Sequence, residues 1–467
     1  MMRFLNAVPF YCVYSNDVDA YVPEFWANES LAILEENMVM GNLVHRDFEP
    51  IIQSYGDVIN TRRPGEFVAK RKTPNDNVTI QDANATNVQV PLNQQLHVSF
   101  MIRDGEESKS FKSLVEEYMF PAMLAQARLV DQILLGQVYQ FLGTTYGLLG
   151  GLSSSNAVQY VTGIRNKQNI KKAYVDGRNL VLTPSSETAF LNNAAFTDAN
   201  RVGDDGTALR EASLGRKLGY DIWMCQNASS ISAGNTLLSG AINGGNLTVG
   251  STVLTVNGFT GAVTTGSWMT VAGDATPQRI TAHTETLGNT TSITISPGLR
   301  SAILTAAVVT TYVPGQVDQS VSPTGYAAGW AKPIVYDTFT VDPVAGHLVA
   351  FGTATDVYSI CQVDTAAKTI LLDRPLDAAI ADNALINIGP IGDYNFAFHK
   401  NALALVVRPL AMPREGIGAR SAVVNAGGLS MRATITYNGE KQGTLVTLDM
   451  LLGVAILDTN LGGIMFG

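Results

Sequence analysis

Residues 108–142 read SKSFKSLVEEYMFPAMLAQARLVDQILLGQVYQFL, and the spacing of their apolar side chains decides the fold. Phe111, Leu114, Val115, Tyr118 and Met119 recur at i, i+3, i+4, i+7 and i+8, the pattern of one apolar helix face. Leu124, Leu129, Ile133, Leu134, Val138 and Phe141 continue the pattern past Pro121, and Ser108 or Ser110 can cap its start. At ~1.5 Å per residue, some thirty residues span about 45 Å, which is long for a helix inside a compact domain. Pro121 should kink this helix or divide a short leading helix from the main one.

Upstream, residues 56–102 change character. GDVINTRRPGEFVAKRKTP, a polar stretch NDNVTIQDANATN and then VQVPLNQQLHVSFMI read as two extended arms joined at a polar tip. Arg62, Arg63, Lys70, Arg71 and Lys72 lie on the first arm. A hairpin this long, with few large apolar residues at its tip, is hardly stable alone, so another chain is expected to hold it. Residues 1–27 look irregular. Asn28 can cap a helix running to about Met40, with Leu31, Leu34 and Met38 on one face and Gly41 at its end.

Downstream, residues 158–190 contain a short helix, a buried strand NLVLTP, and a helix opened by Ser185 and Ser186 that runs through Leu191. GTALREASLGRKLGYDIWMCQN reads as helix, glycine stop and strand. From about Ser232 the composition shifts to Gly, Thr, Val and Asn, and no helical period survives until about residue 390. Short strands are expected at LTVG, TVLTVNGF, SWMTVAG, QRITAH, TSITIS and AAVVTTYV. TSITISPGLRSAILTAAVVTTYVP resembles KTILLDRPLDAAIADNALINIGP, with Ile303 matching Ile380 (380 − 303 = 77 residues apart). Either these are two related β-units or Thr/Val-rich strands match by chance. FAFHKNALALVVRPL can be a helix flowing into a strand. SMRATITYNGEKQGTLVTLDMLLGVAILDTNLGG reads as two antiparallel strands about a turn at Asn438–Gly439, then a further strand.

The 467 residues are too many for one ordinary domain. Only 15% are charged, against roughly 25% in an average soluble domain. A chain so poor in charge is expected to hide much of its surface in contacts with other subunits. The 31 basic and 40 acidic residues give a net charge of -9, which argues against a dedicated nucleic-acid binder. Cys12, Cys225 and Cys361 form neither a disulfide framework nor a zinc spacing, which fits a reducing compartment. The N-terminus lacks the apolar run of a signal peptide, and no run of about 18 apolar residues marks a membrane span.

No catalytic constellation emerges. His45, His97, His283, His347 and His399 fall in five different elements, and no pair has metal-ligand spacing. GDDG at 203–206 lacks the lysine and preceding strand of a phosphate loop and reads as a turn. Glu35/Glu36, Glu106/Glu107 and Glu116/Glu117 are sequence neighbours, which on a helix point about 100° apart and make no acid–base dyad. They read as solvated faces or as partners for a basic arm on another chain. The chain is expected to be no enzyme and to need no cofactor or metal.

The order of parts resembles the major capsid proteins of tailed bacteriophages, the Hong Kong 97-like fold. The stretches that carry the likeness are VPEFWANESLAILEENMVMGNLVHRDFEPIIQSYGDVINTRRPGEF, ALREASLGRKLGYDIWMCQN, FHKNALALVVRPLAMP and TLDMLLGVAILDTNLGG. They look like coat proteins of short-tailed phages with an inserted β-domain, over about residues 22–230 and 390–467. The resemblance implies an α+β fold in six parts: an N-terminal arm (1–55), an extended loop (56–102), a peripheral domain with its spine helix (103–174), an axial domain in two pieces (175–235 and 390–467), and an all-β insertion (236–389). It implies a function as well, self-assembly of pentamers and hexamers into an icosahedral shell around double-stranded DNA, in a virion built in the host cytoplasm. A separate scaffolding protein is expected, because no scaffold-like segment precedes the arm; a portal protein is implied, a decoration protein is an option, and DNA contacts on the inner face would be non-specific, with no membrane involved. The extended-loop basic residues would contact a neighbouring subunit, with Glu106, Glu107, Glu116 and Glu117 as candidate acidic partners.

Two other classes fit part of the sequence: an encapsulin-like compartment with a protein cargo, and a β-rich tail or adhesin protein acting through 236–389. Some relatives join a loop lysine to a neighbour's asparagine, and Lys70 and Lys72 are available. That bond also needs a buried glutamate beside the pair, so non-covalent closure is expected. Particles boiled in detergent should run as one band near the chain mass of 49.9 kDa; a ladder of multimers would overturn this.

Overall fold

The computed structural model describes residues 21–46, 58–63, 69–74, 77–78, 80, 86–107, 114–198, 211–231, 237–259, 261, 263–274, 276–286, 289–312, 315–317, 325–339, 342–414, 419–426 and 428–467. The first part of the chain forms α1 (Tyr21–Asn37), α2 (Met40–Leu43), β1 (Val58–Arg63), β2 (Thr86–Pro91), β3 (Gln94–Arg103), α3 (Asp104–Glu107) and α4 (Leu114–Gly136). A 3-10 turn, Gln137–Phe141, extends α4. Next come β4 (Thr145–Tyr146), α5 (Ala157–Ile170), β5 (Arg178–Leu182), α6 (Pro184–Leu191), α7 (Ala194–Thr197), β6 (Arg216–Lys217), β7 (Tyr220–Met224) and β8 (Ser230–Ile231).

Leu31, Leu34 and Met38 are buried as their spacing requires, but α1 begins at Tyr21, ahead of the expected cap at Asn28. Helix α4 runs unbroken through Pro121. The proline removes one backbone bond, while Met119, Met123, Ala127, Val130 and Leu134 stay buried on the same side, and that packing outweighs the local loss. The proposed caps Ser108 and Ser110 lie outside the described residues. At the start of α6, Thr183 Oγ1 accepts from Ser186 N at 3.2 Å and Pro184 takes the first helical position, one residue earlier than expected.

Between β8 and the tail the described residues form twelve strands: β9 (Leu237–Ile242), β10 (Val253–Asn257), β11 (Trp268–Val271), β12 (Gln278–Thr286), β13 (Asn289–Ser296), β14 (Val308–Tyr312), β15 (Gly315–Val317), β16 (Ile334–Thr338), β17 (Leu348–Phe351), β18 (Tyr358–Asp364), β19 (Thr369–Leu372) and β20 (Leu385–Ile388). They close into two barrels, ordered β10-β13-β12-β11-β14-β9 and β15-β16-β19-β18-β17-β20. Moving each strand of the first to its counterpart six places on gives the second order, read around the ring. The 77-residue likeness is therefore structural, not chance. Leu247 N donates to Ile303 O at 2.8 Å in one barrel, and Tyr326 N donates to Ile380 O at 2.8 Å in the other. Gly266 and Gly346 take the same left-handed turn, with φ of 90° and 91°, and their N–H groups each donate at 2.7 Å to the carbonyls of Ile280 and Ile360.

The tail forms β21 (Gly392–His399), β22 (Leu403–Arg408), β23 (Ala419–Ala426), β24 (Leu429–Asn438), β25 (Gly443–Ile456) and β26 (Gly462–Phe466). The expected helix at 396–402 is instead strand β21 and a 3-10 turn, because Tyr394, Phe396, Ala397 and Phe398 are buried on both faces of a central strand. Strand β21 lies between β26 and β5 in the sheet ordered β4-β26-β21-β5-β7-β6, which joins residues from before and after the barrels. The expected strand is β7, and it pairs with β6 in a hairpin about Gly219 at φ 86°. The helix expected just before it falls almost wholly outside the described residues, as does GDDG.

Residues 390–467 do not form one unit. Strands β22, β25, β24 and β23 make a second sheet, and β3 pairs with β25 along its whole length, from Arg103 opposite Gly443 to Gln94 opposite Leu452. Residues 94–103 therefore belong to this sheet and not to an extended arm. The alternation of Leu96, Val98, Phe100 and Ile102 suits a strand covered by a helix, and α4 covers it. Gln126 Nε2 donates to Leu448 O at 2.8 Å from that helix. Among the described residues the fold is α+β: two larger sheets, the two-stranded β1–β2 ladder, one long helix and two barrels.

Two buried contacts tie other elements to α4. Asp131 accepts from the N–H groups of Val39 (2.9 Å), Met40 (2.9 Å) and Gly41 (3.3 Å), capping α2 from across the core. Burial raises its pKa to about 6, against the lowering effect of those three bonds. At the far end of α4, Gln137 Nε2 donates to Asp373 Oδ2 at 3.1 Å, and a Cβ on Gly136 would meet Asp373 at 2.7 Å. The core of the second barrel, including Tyr336, Ile360 and Ile370, is continuous with that of α4, whereas the first barrel has its own core around Leu254, Met269 and Ile293.

Two outcomes are expected. Because the Asp131 carboxyl has a higher pKa folded than unfolded, folding takes up a proton between about pH 4 and 6. Its contribution to stability is greatest below that window and declines as pH rises through 6. Denaturation from pH 4 to 8 should show the wild type losing stability relative to Asp131→Asn as pH rises; parallel curves would exclude this. An isolated 232–392 segment should melt cooperatively, with faster amide exchange in Tyr358–Leu372 than in Val253–Ser296, since only the former loses its packing on α4. Equal exchange in the two stretches would contradict the unequal anchoring.

Candidate intersubunit surface

Among the described residues, strands β1 and β2 pair only with each other, from Val58 opposite Pro91 to Arg63 opposite Thr86. The ladder is anchored at its base, where Ile59, Val90 and Leu92 pack with Ala404 and Val406 on the second sheet. Asn87 Nδ2 donates to Asn60 Oδ1 at 3.0 Å further out. Beyond the ladder no side chain of the described tip is covered. Lys70, Arg71 and Lys72 are exposed, as are Val78 at 74% and Ile80 at 88%. Two aliphatic side chains left in water beside three cations suit a surface that a neighbour covers. The sequence shows Val78 and Ile80 plainly, but their polar neighbours in NDNVTIQDANATN hide them from a reading by composition.

Arg62 and Arg63 sit on β1, opposite Asn87 and Thr86. Glu106 and Glu107 end α3, and Glu116 and Glu117 fall in the first turn of α4. The arm departs beside the Gln94 end of β3, and the acidic residues begin past its Arg103 end. Strand β3, ten residues and about 33 Å long, runs between the foot of the arm and Asp104, where α3 begins. Tyr118 (48%) and Phe120 (51%) on α4 are also exposed.

The histidines do separate work. His347 is buried, burial lowers its pKa to about 4, and its Nδ1 accepts from Val344 N at 3.3 Å. His283 Nε2 lies 3.3 Å from Glu285, His399 Nδ1 accepts from Asn401 N, and His45 bridges to Ala404. Among the described residues no group of three or more His, Cys, Asp and Glu side chains is placed to hold a metal. No helix among them is long and apolar enough to cross a membrane. Cys225 and Cys361 are buried free thiols with pKa values raised by burial.

The barrels meet each other through Arg279. Its guanidinium donates to Gly266 O in its own barrel and, at 2.9 Å, to Gly352 O in the next, with a further bond to Ala354 O. Trp268, over which it stacks at 5.5 Å, donates through Nε1 to Asn387 O at 3.3 Å. Sequence reading missed this junction, since a Trp and an Arg in separate strands carry no spacing signal.

The chain is similar to several solved phage structures. The structure titled Mycobacterium phage Che8 aligns at 11% identity and a TM-score of 0.43, over 91% of this chain and 90% of that one. The capsid structure of the cyanophage P-SCSP1u aligns at 10% and 0.44, over 91% and 87%. The capsid structure of Staphylococcus phage Andhra aligns at 10% and 0.36, over 88% and 82%. No family model and no curated protein matches the sequence.

Proposed function

We propose that this chain is the major capsid protein of a tailed bacteriophage, with a Hong Kong 97-like fold, and that many copies assemble into an icosahedral shell around double-stranded DNA. The observation that carries the reading is the β1–β2 arm, anchored at its base and bare at its described tip, where Lys70, Arg71, Lys72, Val78 and Ile80 are exposed. Such an arm is complete only against another copy. The long helix across one face of the second sheet, the low charge and the inserted barrels agree with this. Closed symmetry would multiply modest contacts into a stable particle. The role is structural rather than enzymatic, the shell is the virion's, assembly takes place in the host cytoplasm with a separate scaffolding protein and a portal, and the barrels stiffen the subunit from the insertion. A decoration protein would be an added partner.

Arg62, Arg63, Lys70, Arg71 and Lys72 then clamp a neighbour, with Glu106, Glu107, Glu116 and Glu117 as its acidic counterpart. Exposed pairs are worth only ~0–1 kcal/mol each, so the effect comes from repetition. Co-expression with the scaffold should give closed shells in negative stain that protect DNA from nuclease once filled. Monomers and dimers alone in light scattering would defeat the reading, and protein cargo without DNA would favour a compartment. Reversing Arg62, Arg63 and Arg71 to Glu should abolish shells while leaving the monomer's thermal transition in place. Normal shells from that variant would remove the arm from the assembly mechanism.

A further inference from the structure

A cleft of about 710 Å³ opens between the first barrel and the end of α5. Its walls join two kinds of side chain. Lys167 and Lys171 come from the end of α5, and Arg300 comes from the barrel rim opposite. Leu148, Ile170 and Val249 line the same space and are 46%, 68% and 63% exposed. No ion pair among the described residues uses any of the three cations. Lys171 has its pKa lowered by burial first and then by Arg300, with Asp458 opposing. Asp274, the carboxylate in the cleft, is already engaged. Its Oδ1 accepts from Thr276 N at 2.9 Å, and its Oδ2 accepts from Gln278 Nε2 at 3.1 Å and Arg300 N at 2.8 Å. The helix end accounts for a lysine in the last turn of α5, because its free carbonyls favour a cation. It does not account for Arg300.

The second barrel shows what this rim looks like without such a cleft. Gly250 N donates to Leu299 O at 2.7 Å in the first barrel, and Gly329 N donates to Leu376 O at 2.7 Å in the second, so Arg300 and Asp377 occupy the same turn. Asp377 is neutralised within its own barrel by Arg374 at 3.1 Å. Arg300 instead reaches across the cleft, where its Nη1 donates to Gly143 O at 3.2 Å. The duplicated rim thus carries a self-contained ion pair in one copy and an uncompensated cation, facing two more, in the other.

We propose that this cleft binds an acidic, extended peptide segment with aliphatic side chains, supplied by a partner polypeptide. Carboxylates of the segment meet Lys167, Lys171 and Arg300, and its aliphatic groups cover Leu148, Ile170 and Val249. The apolar wall favours a peptide over a nucleic-acid backbone, which has phosphates but no aliphatic side chains to match it. The inference does not depend on whether the chain builds a shell.

The test uses the full-length chain and a fluorescein-labelled peptide of alternating glutamate and leucine, followed by anisotropy. Saturable binding that weakens with salt is expected. The glutamine-for-glutamate peptide should bind about tenfold more weakly or worse, as should the acidic peptide to the Lys171→Gln, Arg300→Gln double variant. Val249→Ser should weaken binding without changing its salt dependence. Equal binding of the glutamine peptide to the wild-type chain overturns the proposal without recourse to any variant. So does unchanged affinity in a double variant whose thermal transition matches the parent, or tighter binding of a single-stranded oligothymidylate than of the acidic peptide.

Discussion

Burial of one face of α4 is the constraint on which the rest of the structure depends. Met119, Met123, Ala127, Val130 and Leu134 lie at the successive three- and four-residue steps that keep one side of a helix inward. Three neighbours meet α4 through a contact of their own: α2 through Asp131, the second sheet through Gln126, and the second barrel through Gly136 and Gln137. The helix therefore aligns three units that are far apart in sequence. Replacing its apolar face would cost more than a local helix, because the same residues form one wall of a core shared with β18 and β25.

This explains what the sequence made legible. The periodicity of α4 is long and one-sided, so it survives Pro121, which a purely local reading treats as a break. The barrels were visible as a region of short Gly-bounded strands, and their repeat as the Ile303 and Ile380 match. Closure into barrels was not visible, because it depends on β9 and β14 meeting across the whole unit. The tail was misread for a related reason. FAFHKNALALVVRPL is apolar on consecutive positions, a pattern shared by buried strands and buried helices, and only its neighbours β26 and β5 decide the matter. The boundary of the extended loop failed similarly. Nothing in VQVPLNQQLHVSFMI marks where β2 ends and β3 begins except Pro91, Leu92 and Asn93, and the partner of β3 lies some 350 residues away in β25. At the candidate surface, the basic residues of the arm were readable as chemistry. Val78 and Ile80 were not, because exposure is a property of the fold.

The two barrels also show how one unit of a duplicated pair docks on the other. In the first barrel β9 runs along the whole of β14, so Thr310 faces Thr270 on one side and Ser239 on the other. In the second, Gly315 and Gln316 of β15 face Ile386 and Leu385 of β20, and Ala350 of β17 faces Asn387 from the other side. The carbonyl of Asn387 accepts from Trp268, and its side chain donates to Gly352 O, one of the acceptors of Arg279. Asn387 of β20 thus forms part of the surface on which the other barrel docks. An open strand edge is ordinarily a liability, since its N–H and C=O groups can pair with any passing chain. Here the carbonyls of Gly352, Ala354 and Asn387 are taken by Arg279 and Trp268 of the neighbouring barrel, so these acceptors are occupied within the fold and form a fixed junction.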